Sequence, residues 1–105
     1  MKKFIAMHTY TVDPPEVWKL LGNVASEMAI EMATGKLPAK CIKTWNPLPH
    51  GRADHFFCLW EAEKPEDIVT SLGRLMDVIT ADIMQVDEID WAVLTEAAMA
   101  ARVPA

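Results

Sequence analysis

Three histidines, a single tyrosine and two cysteines are the side chains of this sequence with the widest chemical reach. His8 and Tyr10 stand two apart near the start, and His55 stands two before Phe57. An imidazole can take or give a proton near neutral pH, and a hydroxyl can stabilise negative charge that develops beside it. Lys43 and Trp45, also two apart, add a cation and a large amphipathic ring. Two is the side-chain period of a strand, so the members of each pair share a face. The expected site has His8, Tyr10 and His55 as catalytic groups, with Lys43, Trp45 and Phe57 contacting a ligand. Each also has a plainer reading. A strand histidine can be a satisfied interior group, Tyr10 and Trp45 can be core or rim aromatics, and Lys43 can lay its stem on apolar surface with its amine in water. His50, in a Pro-Gly loop, reads as solvated.

Other chemistries find less support. Cys41 and Cys58 show neither CxxC nor zinc spacing. If His8 and His55 converged, two imidazoles would still fall short of a usual zinc set, with a third ligand needed from Glu61, Asp82 or a partner subunit. Metal binding therefore ranks below an apolar ligand, and neither metal nor cofactor is expected. There is no glycine-rich phosphate loop and no Ser-His-Asp pattern. The ten Lys and Arg are scattered in a chain of net charge −5, which argues against nucleic-acid binding. Apolar stretches of only a few residues exclude a membrane span. The opening segment, Met1 to His8, lacks the apolar length and cleavage site of a signal peptide, so the cytoplasm is the expected compartment, where thiols stay reduced.

These residues need elements to position them. The 105 residues suit one domain over 1–105, with a core of about 3–88 and a terminal helix of about 91–102. Lys3 to Tyr10 reads as a strand. Asp13-Pro14-Pro15-Glu16 is a helix start, with Asp13 as cap, and Val17, Leu21, Val24, Met28 and Met32 follow at helical spacing until about Gly35. Ile30 falls off that stripe. Ala39 to Asn46 is a second strand, and Pro47 to Arg52 reads as a non-helical hairpin loop. Ala53 to Ala62 is a third strand. Pro65 opens a helix with Ile68, Leu72, Leu75 and Met76 on its buried side, slightly weakened by Gly73. A fourth strand lies around Thr80 to Asp87, and Trp91 to Arg102 is an alanine-rich helix.

The order β-α-β-β-α-β is the ferredoxin-like α+β arrangement: an antiparallel sheet with both helices on one face and the other face bare. In the third strand Phe56, Cys58, Trp60 and Ala62 are the apolar set expected under the helices. By the same rule Ile5 and Met7 join them, leaving Phe4, His8 and Tyr10 on the open face. Lys43 is costly to bury, so Cys41, Lys43 and Trp45 are expected on the open face, with Ile42 and Thr44 inward. His8, Tyr10, Lys43, Trp45 and His55 would then gather at one end of the open face. Cys41 and Cys58, pointing to opposite faces, would not form a disulfide.

The stretch from Phe57 through Trp60-Glu61-Ala62-Glu63-Lys64-Pro65 to Asp67, with the later Asp82-Ile83-Met84-Gln85-Val86, resembles the dimeric α+β barrel superfamily. Its members include muconolactone isomerase, small cofactor-free antibiotic-biosynthesis monooxygenases and several short uncharacterised families. The resemblance covers roughly residues 3–88 and carries a packing signature rather than a catalytic motif. It implies a homodimer whose bare sheet faces close into a barrel around a small, mostly apolar molecule. Proton transfer or cofactor-free oxygenation would be the associated chemistry. A non-catalytic ligand- or metal-binding accessory module, or a purely structural dimer with a filled barrel, stands as the alternative.

Overall fold

The structure, a computed structural model, describes residues 1–102. Seven elements follow the expected order: β1 (Lys2–His8), α1 (Pro14–Ala33), β2 (Lys40–Trp45), β3 (Phe56–Ala62), α2 (Pro65–Leu72), β4 (Asp82–Val86) and α3 (Trp91–Arg102). The four strands form an antiparallel sheet in the order β2-β3-β1-β4, the ferredoxin-like pattern with β1 and β3 at its centre.

α1 begins where Pro14 presets the backbone of the first turn. Asp13 occupies the cap position, but its side chain makes no capping hydrogen bond; its carbonyl instead accepts from the Glu16 amide at 2.9 Å. The helix ends at a left-handed Gly35, φ 79°, where an L side chain would be strained. Val17, Val24 and Met32 bury its inner stripe, and Ile30 is exposed as its position off the stripe implies. The β2–β3 connection is not wholly irregular: Leu48–His50 make one 3-10 turn, because Pro47 and Pro49 supply compatible φ angles. Gly73 does more than weaken α2. At φ 55° it ends the α-helix, and the chain continues as a 3-10 turn to Asp77. Buried Ser71 fastens α2 to the start of β2, accepting from the Ala39 amide at 3.1 Å and donating to the Asp67 carbonyl at 2.8 Å.

The sheet's helix-covered face carries Phe56, Cys58, Trp60 and Ala62 of β3, as expected, all buried. β1 is turned over relative to expectation. Directly opposed residues share a face, and Phe4 pairs with Trp60, Ala6 with Cys58 and His8 with Phe56. Phe4, Ala6 and His8 therefore lie under the helices, while Ile5 and Met7 reach the open face. In β2, Lys43 and Trp45 face the open side and Thr44 the helix side, as expected. Cys41 does not follow. A β-bulge between Cys41 and Lys43 inserts one residue, so Cys41 pairs with Trp60 and joins the helix side.

Beyond the sheet, every residue of α3 is exposed, including Trp91, Leu94 and Met99. This helix stretches the molecule to a radius of gyration of 16.6 Å, above the roughly 13 Å of a compact chain of this length. No helix among the described residues is long and apolar enough to cross a membrane.

Candidate functional site: a cavity beneath the first helix

The six expected site residues do not form one cluster. His8 and Tyr10 lie on the helix face, whereas His55, Lys43, Trp45 and Phe57 belong to the open face. The expected convergence of His8 with His55 is thus overturned, and with it any metal pair made from them. Among the described residues no group of three or more His, Cys, Asp or Glu could hold a metal ion.

Between α1 and the sheet lies a cavity of about 450 Å³, bounded by His8, Val17, Met28, Cys41, Phe56 and Trp60 among others. α1 contributes its apolar stripe and β1 and β3 the floor. Nearly all of the lining is hydrocarbon, aromatic or sulfur, with few polar atoms.

His8 is fully buried. Its ring stacks on Phe56 at 4.5 Å between centroids, and the same phenyl meets Tyr10 at 5.3 Å and Trp18 at 4.9 Å. The indole N–H of Trp18 donates to the Tyr10 hydroxyl at 2.8 Å, so Tyr10 is tied to α1. Its plainer reading, an aromatic of the core's edge, describes its surroundings well. His8 Nδ1 lies 3.0 Å from the Thr80 carbonyl. A carbonyl oxygen only accepts, which assigns the ring proton to Nδ1 and leaves a lone pair on Nε2. That Nε2 is buried without a hydrogen-bond partner among the described residues. Burial lowers the His8 pKa from its ordinary 6.5, opposed by the weaker raising effect of the Thr80 bond. At neutral pH the imidazole is uncharged, with Nε2 able to accept a hydrogen bond.

Trp60 Nε1 is the second orphaned atom, buried and without a partner among the described residues. It is donor-only. Two residues of the cavity lining thus carry a buried polar atom without a partner among the described residues, one an acceptor and one a donor, each covered by its neighbours. Unsatisfied buried polar groups are costly and mark places where a partner is wanted. Trp60 was read from the sequence as core alone. Its indole nitrogen is the one signal that could have distinguished it from Phe56.

The open-face residues are arranged differently. Trp45 lies opposite Phe57 and is 46% exposed; Lys43 lies opposite Leu59 and is exposed. His55 Nδ1 is 3.4 Å from the Thr9 hydroxyl and its ring meets Phe57 edge-on at 6.5 Å. Around His55 and Phe57 there is a smaller hollow of about 190 Å³, shared with Pro47, Arg52 and Asp54.

No protein-family model matches the chain, and no curated protein matches it. Among solved structures the chain is similar to SnoaB, a cofactor-independent oxygenase from Streptomyces nogalater. The two share 10% identity over 84% of this chain and 92% of that one, with a TM-score of 0.48.

Proposed function

We propose that the protein binds a small, mostly apolar molecule in the cavity beneath α1, and that His8 takes a proton or hydrogen bond from the ligand's polar group. The observation that carries this reading is the unpartnered Nε2 of a buried, neutral imidazole in an apolar wall. The fitting ligand is a ring compound with an acidic hydroxyl, such as a phenol. Its body would replace no strong contacts of the wall, and its O–H would meet Nε2. Removing that proton makes an electron-rich anion, the common first step of an isomerisation or of a cofactor-free reaction with dioxygen. His8 is closed off from solvent, so binding displaces its cover. Met28 and Met32, unbranched and pliable, are the cavity residues best able to yield.

In this reading a second copy of the chain covers the open sheet face. Ile5, Leu59 and Met84 form one row across it, and Met7, Phe57 and Trp45 another. Apolar rows of this extent favour burial against a partner. Lys43, Trp45, Phe57 and His55 then serve the dimer or its enclosed space rather than the histidine's chemistry.

The test is titration of the protein with simple phenols, followed by NMR of the His8 ring nitrogens. A bound phenol shifts the Nε2 resonance of His8, and His8→Leu weakens binding while the fold persists. Binding that is unchanged in His8→Leu, or that moves His55 and leaves His8 still, would refute the proposal.

A further inference from the structure

The cavity wall holds two thiols that proton transfer does not use. Cys41 on β2 and Cys58 on β3 both line it, and neither is in a disulfide. The bulge that turned Cys41 inward makes the two diagonal neighbours on one face, since Cys41 pairs across Trp60 and Thr44 across Cys58. The Thr44 hydroxyl stands between them, 3.2 Å from the Cys58 sulfur and 3.6 Å from that of Cys41. Cys58 is buried and Cys41 half-buried.

We propose that Cys41 and Cys58 are a hydroperoxide-reactive dithiol that closes reversibly into a disulfide between β2 and β3. The Cys41 thiolate attacks the terminal oxygen of a hydroperoxide. An S–O bond forms, the O–O bond breaks, and the departing oxygen leaves as an alcohol, or as water from hydrogen peroxide, after taking a proton. Cys58 sulfur then attacks the resulting Cys41 sulfenic acid. The S–S bond forms as the S–OH bond breaks, and hydroxide leaves as water with the Cys58 proton. The two thiols lose two electrons and the peroxide gains them.

The division of roles follows the surroundings of each sulfur. A hydrogen bond with Cys58 pulls the Cys41 thiol down to about 7 against the opposing effect of burial, with help from the Thr44 hydroxyl and the Lys43 backbone. The same interaction with Cys41, reinforced by burial, pushes Cys58 well above the ordinary thiol range. Cys41 is thus the more ionised and more accessible thiol, as an attacking cysteine must be. Cys58 is held beside it as the resolving thiol.

Closure needs movement that β2 can supply. Diagonal cross-strand neighbours sit about 7–8 Å apart at Cα, and a disulfide wants less than about 6.8 Å. β2 is an edge strand, largely exposed and already irregular at Ile42. Such a segment can be drawn toward β3 without breaking the central β1–β3 pairing.

The experiment uses the full chain, fully reduced and then treated with hydrogen peroxide in near-stoichiometric amount. Intact mass and a non-reducing peptide map should show loss of two hydrogens and a Cys41–Cys58 linkage, reversed by dithiothreitol. Cys58→Ala should leave Cys41 as a sulfenic acid trapped by dimedone. Cys41→Ser should abolish dimedone labelling and peroxide consumption. Thr44→Val, which keeps the shape but removes the shared hydroxyl, should slow closure several-fold and provides a test that leaves both cysteines in place. The proposal is overturned if methionines oxidise first, if Cys41 goes directly to sulfinic acid with Cys58 present, or if only disulfides between molecules form.

Discussion

The two faces of one sheet are both apolar, yet they are apolar in different ways. The helix side holds Phe4, Phe56, Trp60 and His8 at 3% exposure or less, closed in by α1 and α2. The open side presents Trp45 and Met84 nearly half exposed around a buried Leu59. The first face is finished within the chain and keeps only a cavity with two unpaired polar atoms. The second is unfinished. In the proposed reading, chemistry that depends on desolvation, such as that of a neutral buried imidazole, uses the first, and association uses the second. The difference shows why a residue's type alone does not say which face it serves.

The contrast is sharpest between two tryptophans. Trp60→Ala should cost about 3–5 kcal/mol of stability, the usual loss for a large aromatic removed from a packed interior. Trp45→Ala should change the stability of the isolated subunit by less than about 1 kcal/mol. Denaturant unfolding at low protein concentration measures both. Equal losses would mean that the open face is as closed as the other.

Association gives the next largest effect. Sedimentation at micromolar concentration should show a dimer, and Met84→Glu, placing a charge in the apolar row it forms with Ile5 and Leu59 on the open face, should weaken it by tenfold or more, about 1.4 kcal/mol. A wild-type monomer would remove the covered open face from the account and leave Trp45 and Met84 as simple surface residues.

The architecture was legible in the sequence because local signals agreed. Helical spacing from Val17 to Met32, the proline starts of α1 and α2 and the alternation of β3 all point to the same topology. The site was less legible because it depended on parity. Ile5 and Met7 look like core, and they are apolar because both faces of the sheet demand it. The smaller Ala6, which lets the helices approach, is the residue that lies inward with Phe4 and His8. One error of parity carried His8 and Tyr10 to the wrong face. Cys41 was misplaced for a separate reason: no residue near Ile42 announces a bulge. Lys43, Trp45 and Phe57 were placed correctly because a mid-strand lysine is a strong constraint and the pairing with β3 begins afresh after the bulge.

Acid should report the helix face specifically. Unfolded, His8 titrates near its ordinary 6.5; folded, burial holds its pKa lower. Between the two values the unfolded chain binds the extra proton, so its share of the population grows as pH falls. The associated stability is fully present above pH 6.5 and is lost as pH drops toward the folded value, at up to about 1.4 kcal/mol per pH unit. Wild type and His8→Leu, unfolded in denaturant at a series of pH values, should differ in slope over that window. Parallel curves would mean that His8 is reached by water and is not a neutral, buried imidazole.

The smallest expected effect tests what holds α1 over the cavity. Asp13 stands at the helix start but its carboxylate caps nothing. Asp13→Ala should therefore shift stability by less than about 0.5 kcal/mol, well short of the usual loss of about 1 kcal/mol for a capping residue. Asp90 offers the control, since its Oδ1 accepts from the amides of Ala92 at 3.0 Å and Val93 at 3.3 Å at the start of α3. Asp90→Ala should fray that helix, seen as faster amide exchange from Ala92 onward, while global melting stays put because α3 is exposed throughout. If Asp13→Ala instead lowers the melting temperature by as much as a true cap would, α1 is seated by its first turn. The buried stripe of Val17, Val24 and Met32 would then be a weaker anchor than the closed helix face requires.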